Sequence, residues 1–87
     1  PFVAVLEQWL ASGDQEIGNS HTYQQFYAIV EPLARARKLE WRWTNATSLE
    51  RHISVLAPQL SKLYGAEFQE VQEVSGKTSS RIRFKKQ

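Results

Sequence analysis

Gly76, Lys77 and Thr78 form the three-residue string that closes a phosphate-binding loop in nucleotide-binding proteins. Such a loop needs another glycine five positions earlier, and a helix must follow so that its N-terminus meets the phosphates. Val71 occupies that glycine position, and residues 81–84 alternate between basic and apolar types, as a strand does. The sequence therefore disfavours a nucleotide site and predicts a hairpin turn at Gly76.

Residue types that bind metals or act as nucleophiles are sparse. The two histidines, His21 and His52, have no cysteine to accompany them, so a zinc site would need carboxylate ligands. Serine, histidine and aspartate all occur, but no strained nucleophile turn is recognisable. We therefore expect no metal, no cofactor, no small-molecule substrate and no enzymatic activity.

Length and composition indicate one domain. The chain has 87 residues, of which 41% are hydrophobic and 23% charged, as in ordinary globular proteins. The absence of cysteine excludes disulfides and favours a cytoplasmic location. No apolar run approaches the roughly 20 residues of a membrane span, so no membrane partner is expected. The chain starts at Pro1 and contains no methionine, which indicates a single domain, residues 1–87, excised from a longer protein.

Charge is distributed unevenly along the sequence. Residues 1–40 carry three basic and five acidic side chains, whereas residues 41–87 carry eight basic and four acidic ones. After Glu73 five basic residues follow without an acid. A basic half on a small domain favours a polyanionic partner, although a solvated basic tail would also explain the pattern.

Helical periodicity predicts two helices in the first half. The first begins at Phe2 and ends at Gly13. The second begins near Thr22, which has capping-box spacing to Gln25, and ends in a basic segment; Pro32 should kink it. Residues 15–20 read as a loop or a brief strand.

A third helix is predicted from Thr47, which has capping-box spacing to Glu50, to Tyr64, with Gly65 ending it. Its predicted core stripe consists of Leu49, Ile53, Leu56, Leu60 and Leu63. Its predicted outward face consists of Ser48, Arg51, His52, Val55, Gln59 and Lys62.

Strands are predicted in two places around the third helix. Before it, Trp41 and Trp43 alternate with charged residues, so that Trp43 is exposed if Trp41 is buried. After it, residues 66–74 and 80–86 read as two strands around the Gly76 turn. In the last strand Ser80, Ile82 and Phe84 face one way, and Arg81, Arg83 and Lys85 face the other.

The order of helix, short extended piece, two helices and hairpin resembles winged-helix DNA-binding domains. Within that family the chain is similar to the C-terminal domains of phage and plasmid primase-helicases, on the segments TYQQFY, SLERHISVL and SRIRFKK. The resemblance implies an α+β fold, a three-helix winged helix-turn-helix with a C-terminal β-hairpin wing. It also implies duplex DNA binding within a replication or transcription-regulating protein, with residues 47–64 as the recognition helix.

The predicted DNA-binding residues are polar or basic residues of that helix and of the hairpin. They are Asn45, Thr47, Ser48, Arg51, His52, Lys77, Thr78, Arg81 and Arg83. Arg51 is the best candidate for a base contact, because a guanidinium pairs bidentately with guanine. The hairpin cations are expected to contact phosphates and to share one surface with the helix.

Two alternatives to duplex binding stay open at this level. The same fold also serves as a protein-docking module, and an exposed Trp43 would suit a partner protein or another domain of the parent chain. Binding of single-stranded nucleic acid would use the basic hairpin together with exposed aromatic rings.

Overall fold

Three helices and three short strands follow one another in the computed structural model, which describes residues 2–85. The elements are α1 Phe2–Ala11, β1 His21–Thr22, α2 Tyr23–Ala36, α3 Ala46–Tyr64, β2 Glu67–Gln72 and β3 Thr78–Arg83. The predicted α+β class and the order of helix, short extended piece, two helices and hairpin are confirmed. Lys86, within the second predicted hairpin strand, lies outside the described residues. No helix within residues 2–85 is long and apolar enough to cross a membrane.

The strands form one antiparallel sheet in which β3 lies between β1 and β2. Ile82 pairs with His21 on one side and with Phe68 on the other. Directly opposed residues share a face of an antiparallel sheet, so these three side chains point the same way. Ile82 is buried, which identifies their face as the inner one. Arg81 and Arg83 consequently lie on the reverse face, as the alternation predicts.

An aromatic cluster joins the sheet to the first two helices. The ring centroid of Trp9 lies 5.5 Å from that of Phe26 and 5.8 Å from that of Phe84, both in edge-to-face orientation. Phe26 and Phe84 are 5.6 Å apart. These rings come from α1, from α2 and from the residue just after β3, and all three are almost completely buried. They form the centre of the core.

The two long helices, α2 and α3, are capped at their N-termini by different residue types. In α2 the predicted capping box is confirmed: Gln25 N donates to Thr22 Oγ1 at 3.2 Å, and Thr22 N donates to Gln25 Oε1 at 3.1 Å. In α3 the predicted cap at Thr47 is wrong. Asn45 is the N-cap, because its Oδ1 accepts from Ser48 N at 2.8 Å and satisfies a free backbone donor.

The end of α3 follows the prediction at Gly65 and departs from it at Leu63. Gly65 has φ 67°, the left-handed conformation that glycine adopts without steric cost. Leu63, predicted to lie in the core, is 65% exposed. In the last turn Tyr64 contacts α1, because its hydroxyl donates a hydrogen bond to Glu7 Oε1 at 2.9 Å. Leu63 is therefore turned to solvent.

The segment between α2 and α3 is a loop, and the exposure of Trp43 that strict alternation would give is not observed. Trp43 is only 9% exposed, whereas Trp41 is half-buried. The Trp43 ring packs edge-on against Phe2, with centroids 6.0 Å apart, and lies 4.9 Å from the Trp41 ring. Strict alternation requires a straight strand, and this segment does not form one.

The predicted loop after α1 is a compact turn that leads into β1. Trp9 Nε1 donates to Asp14 Oδ2 at 3.3 Å, and Glu16 N donates to Asp14 Oδ1 at 2.9 Å. The Glu16 carboxylate lies 2.9 Å from Nε2 of the buried His21. Hydrogen bonds from His21 and then Asn19 hold the pKa of Glu16 below its ordinary value.

We expect Thr22→Ala to lower the free energy of unfolding by about 1 kcal/mol, because the first turn of α2 loses its side-chain acceptor. Chemical denaturation followed by circular dichroism measures this difference. Thr22→Ser keeps the hydroxyl and should remain close to the wild type. Equal losses in both variants would contradict the capping role.

We expect Glu16→Gln to reduce stability at pH 6 more than at pH 3. A carboxyl whose pKa is depressed by folding stabilises the protein above its ordinary pKa, and that stabilisation disappears as the pH falls through the folded-state value. Thermal unfolding midpoints at several pH values between 6 and 3 measure the effect. A difference between wild type and variant that stays constant with pH would contradict it.

Candidate nucleic-acid interface

The start of α3 presents two free polar side chains and two that are engaged locally. Asn45 and Ser48 bind one another, since Asn45 Oδ1 caps Ser48 N and Ser48 Oγ donates to Asn45 O at 2.9 Å. Thr47 and Arg51 are exposed. Arg51 makes no ion pair among the residues that the structure describes. These two side chains are free to meet a ligand.

His52 is half-buried, although the sequence places it on the outward face of α3. Its ring lies 5.1 Å from the Trp43 ring and 6.3 Å from the Phe2 ring. The loop that folds Trp43 inward covers this flank of the helix. His52 therefore contributes to the aromatic packing between the loop, α1 and α3.

The hairpin tip carries exposed polar residues close to the start of α3. Gly76 has φ 85°, and Gly76 N donates to Glu73 O at 2.9 Å within the turn. Lys77 and Thr78 beside it are exposed. Thr78 and Thr47 line one surface depression, so the structure brings these two predicted site residues together.

Arg81 and Arg83 are both engaged with their own chain. Arg81 donates from Nε to Ser20 Oγ at 2.9 Å and from Nη2 to Ser20 O at 3.0 Å. Arg83 Nη2 lies 2.5 Å from Glu67 Oε2, opposite it in the sheet. These contacts hold the segment before β1 and the outer strand β2 against β3.

The hairpin arginines and Arg51 lie on the outward faces of their own elements. Arg81 and Arg83 lie on the reverse face of the sheet, whose inner face packs on the helices. Arg51 lies on α3 two residues from the buried Leu49 and from the buried Ile53, and therefore points away from the core. Arg81 lines a groove together with Glu50 of α3, but its guanidinium is bound to Ser20.

Acidic side chains line the space between α3 and the hairpin. A groove of about 490 Å³ lies there, with Glu50 on the helix wall and Glu70 on the strand wall. Glu50 also lines the depression that holds Thr47, together with Glu73, whose carboxylate accepts a hydrogen bond from Ser79. Burial and the charge of Glu50 raise the pKa of Tyr23, on the groove floor, to about 12. Arg81 also lines the groove, but its guanidinium is bound to Ser20, so the two unpaired carboxylates disfavour phosphate there.

The sequence interpretation missed these acidic residues. Their signal is the number of carboxylates, Glu67, Glu70 and Glu73, in and just after the first hairpin strand. The excess of basic residues in the C-terminal half obscures it when charge is averaged. Only the pairing of β2 with β3 and the approach of α3 show which carboxylates meet.

Comparison of the chain with models of known protein families, with curated proteins and with solved structures finds no match. Within residues 2–85 no three histidine, cysteine, aspartate or glutamate side chains are grouped so that they could hold a metal ion.

We expect Arg81→Ala to lower the free energy of unfolding by about 1–2 kcal/mol, because two charge-assisted hydrogen bonds to Ser20 are lost. Arg51→Ala removes an exposed, unpaired side chain and should change it by less than about 0.5 kcal/mol. Urea denaturation of both variants measures the contrast. If Arg81→Ala were as stable as Arg51→Ala, the structural role of Arg81 would be contradicted.

Proposed function

We propose that this chain is a winged-helix domain that binds duplex DNA through the first two turns of α3 and the tip of the β2–β3 hairpin. The observation that carries the proposal is the element order α1-β1-α2-α3-β2-β3 with β3 central in the sheet. In winged-helix domains the third helix enters the major groove and the hairpin lies beside it. The proximity of Thr47 and Thr78 supports such a shared contact.

The contact on α3 rests on Arg51 and Thr47. Arg51 is exposed and unpaired, so its guanidinium is available for the O6 and N7 atoms of a guanine. Thr47 lies in the first turn, where the helix dipole favours a phosphate and a hydroxyl can donate to it. Asn45 and Ser48 support this end of the helix by capping it.

The contact on the hairpin is restricted to Lys77 and Thr78. Arg81 and Arg83 would have to leave Ser20 and Glu67 before they could bind phosphate. The proposed interface therefore has few cations, and its affinity should be modest. Two phosphate contacts correspond to a slope of about −2 in log affinity against log salt concentration. Such a weak site suits one domain of a longer protein.

Burial of Trp43 removes the exposed aromatic ring that the sequence offered to both alternatives to duplex binding. Single-strand binding relies on exposed aromatic rings on which bases stack, and protein docking relied on Trp43 as the exposed apolar residue. Duplex binding requires neither. It uses the helix face and the hairpin tip, whose polar side chains are exposed.

We expect Arg51→Ala and Lys77→Ala each to weaken binding to a short fluorescein-labelled duplex about fivefold, because each removes a charge-assisted contact worth roughly 1 kcal/mol. Fluorescence anisotropy at about 20 mM salt gives the dissociation constants. Titration at higher salt gives the slope.

Lys62→Ala is the matched control, because it removes an exposed cation from the far end of the same helix. Its affinity should equal that of the wild type. An equal loss in Lys62→Ala would indicate attraction by net charge alone and contradict the proposed interface. Tighter binding to the single strand than to the duplex would favour the single-strand alternative.

A further inference from the structure

We propose that the groove between α3 and the hairpin binds an arginine side chain carried by an extended segment of a partner protein. We refer to it as the α3–hairpin groove. Its lining residues are Tyr23, Glu50, Ser54, Ala57, Phe68, Gln69, Glu70, Ser80 and Arg81. This site goes beyond DNA binding, because its chemistry selects a cation.

Two carboxylates face the groove from opposite walls without a charged partner. Glu50 comes from α3 and Glu70 from β2, and neither forms an ion pair within residues 2–85. The other hairpin carboxylates are occupied, since Glu67 binds Arg83 and Glu73 accepts from Ser79. Arg81 also lines the groove, but its guanidinium is bound to Ser20. The two unpaired carboxylates are therefore available to attract a cationic side chain.

A tyrosine that lines the groove has a hydroxyl without a hydrogen-bond partner within residues 2–85. Tyr23 is only 8% exposed and lines the groove, yet its phenol group makes no hydrogen bond to any described residue. Its hydroxyl is not a buried atom and keeps contact with solvent, so a donor that enters the groove can reach it. This group is independent of the two carboxylates and gives a polar ligand in the groove a third acceptor.

Arginine fits these groups better than lysine does. The guanidinium is planar and has five donors, so it can bind carboxylates on two walls and still donate to a phenol oxygen. Phe68 is 37% exposed at the groove and offers an aromatic ring on which a guanidinium can stack. A lysine ammonium has three donors and no planar face to match this ring.

The free edge of β2 favours a polypeptide over a small free cation. β2 is an outer strand, so one side of its backbone has unpaired donors and acceptors along Glu67–Gln72. The strand contains no lysine or proline of the kind that usually blocks pairing with another chain. Its residues Phe68 and Glu70 also line the groove. An extended segment can therefore add to the sheet while its arginine enters the groove.

The first experiment titrates the chain with the peptide acetyl-TVRVT-amide. Amide chemical shifts of residues 67–72 should change and saturate, and the dissociation constant follows from the curve. Glu50→Gln and Glu70→Gln should each weaken binding at least fivefold. Glu40→Gln, an equal change of charge on the loop before α3, should have no effect. No saturable shift in the wild type, or equal affinity in all variants, would overturn the proposal.

Two further ligands test the arginine and the peptide backbone separately. Acetyl-TVQVT-amide should bind at least tenfold more weakly, because it lacks the guanidinium. Acetyl-arginine-amide alone should also bind at least tenfold more weakly, because it cannot pair with β2. Equal binding of the glutamine peptide would overturn arginine recognition, and equal binding of the single residue would overturn a polypeptide partner.

The groove and the DNA interface can be tested independently. Tyr23→Phe removes only the phenol oxygen and should weaken the arginine peptide about threefold or more without unfolding the domain. Glu70→Gln should leave duplex affinity unchanged or slightly raised, because it removes a charge that repels phosphate. Loss of peptide binding with duplex binding intact would separate the two sites. Loss of both in Glu70→Gln would contradict a separate groove site.

Discussion

The packing of Phe84 and Ile82 into the aromatic core is the constraint on which the surface of this domain depends. Both side chains are almost completely buried, and Phe84 is in contact with Trp9 and Phe26 from two helices. Side chains on a strand alternate between faces, so burial of Ile82 and Phe84 determines the orientation of the residues between and beside them. The hairpin cannot turn its arginines toward α3 without removing its apolar residues from the core.

The surface charge of this domain consequently depends more on which charged side chains are paired than on how many there are. The basic strand supplies Arg81 and Arg83, but these side chains hold Ser20 and Glu67 on the outside of the sheet. The inner side of the hairpin faces α3 with carboxylates instead. Residues 41–87 are basic on average, yet they line an acidic groove. The exposed polar residues at the start of α3 and at the hairpin tip lie outside this groove. This division is the reason for proposing one site for DNA and another for a cationic segment.

The loop before α3 has a second organising effect. Its inward fold buries Trp43 against Phe2 and draws His52 into the same packing. That leaves Arg51, which points away from the buried Leu49 and Ile53, as an exposed cation near the start of the helix. The residues that a ligand could reach on α3 are therefore selected by the loop as well as by the helical period.

The sequence alone determined the features that depend on neighbouring residues. Apolar spacing located the three helices, the Thr22 and Gln25 spacing identified one cap, and Gly65 and Gly76 marked left-handed positions. Each of these rests on contacts within a few residues, which a sequence pattern records directly. Leu63 shows the limit of such patterns, because helical spacing predicts a stripe but not how far the neighbouring elements cover it.

Only the tertiary structure decided which charges are free. Arg81 meets Ser20 across 61 positions of sequence, and Trp43 is buried because α1 and α3 come together around it. The acidic groove likewise exists only where α3 approaches β2. Contacts of this kind depend on the whole fold, because they bring together elements whose separation along the chain carries no local signal. The candidate sites consist of the side chains that these long-range contacts left unpaired.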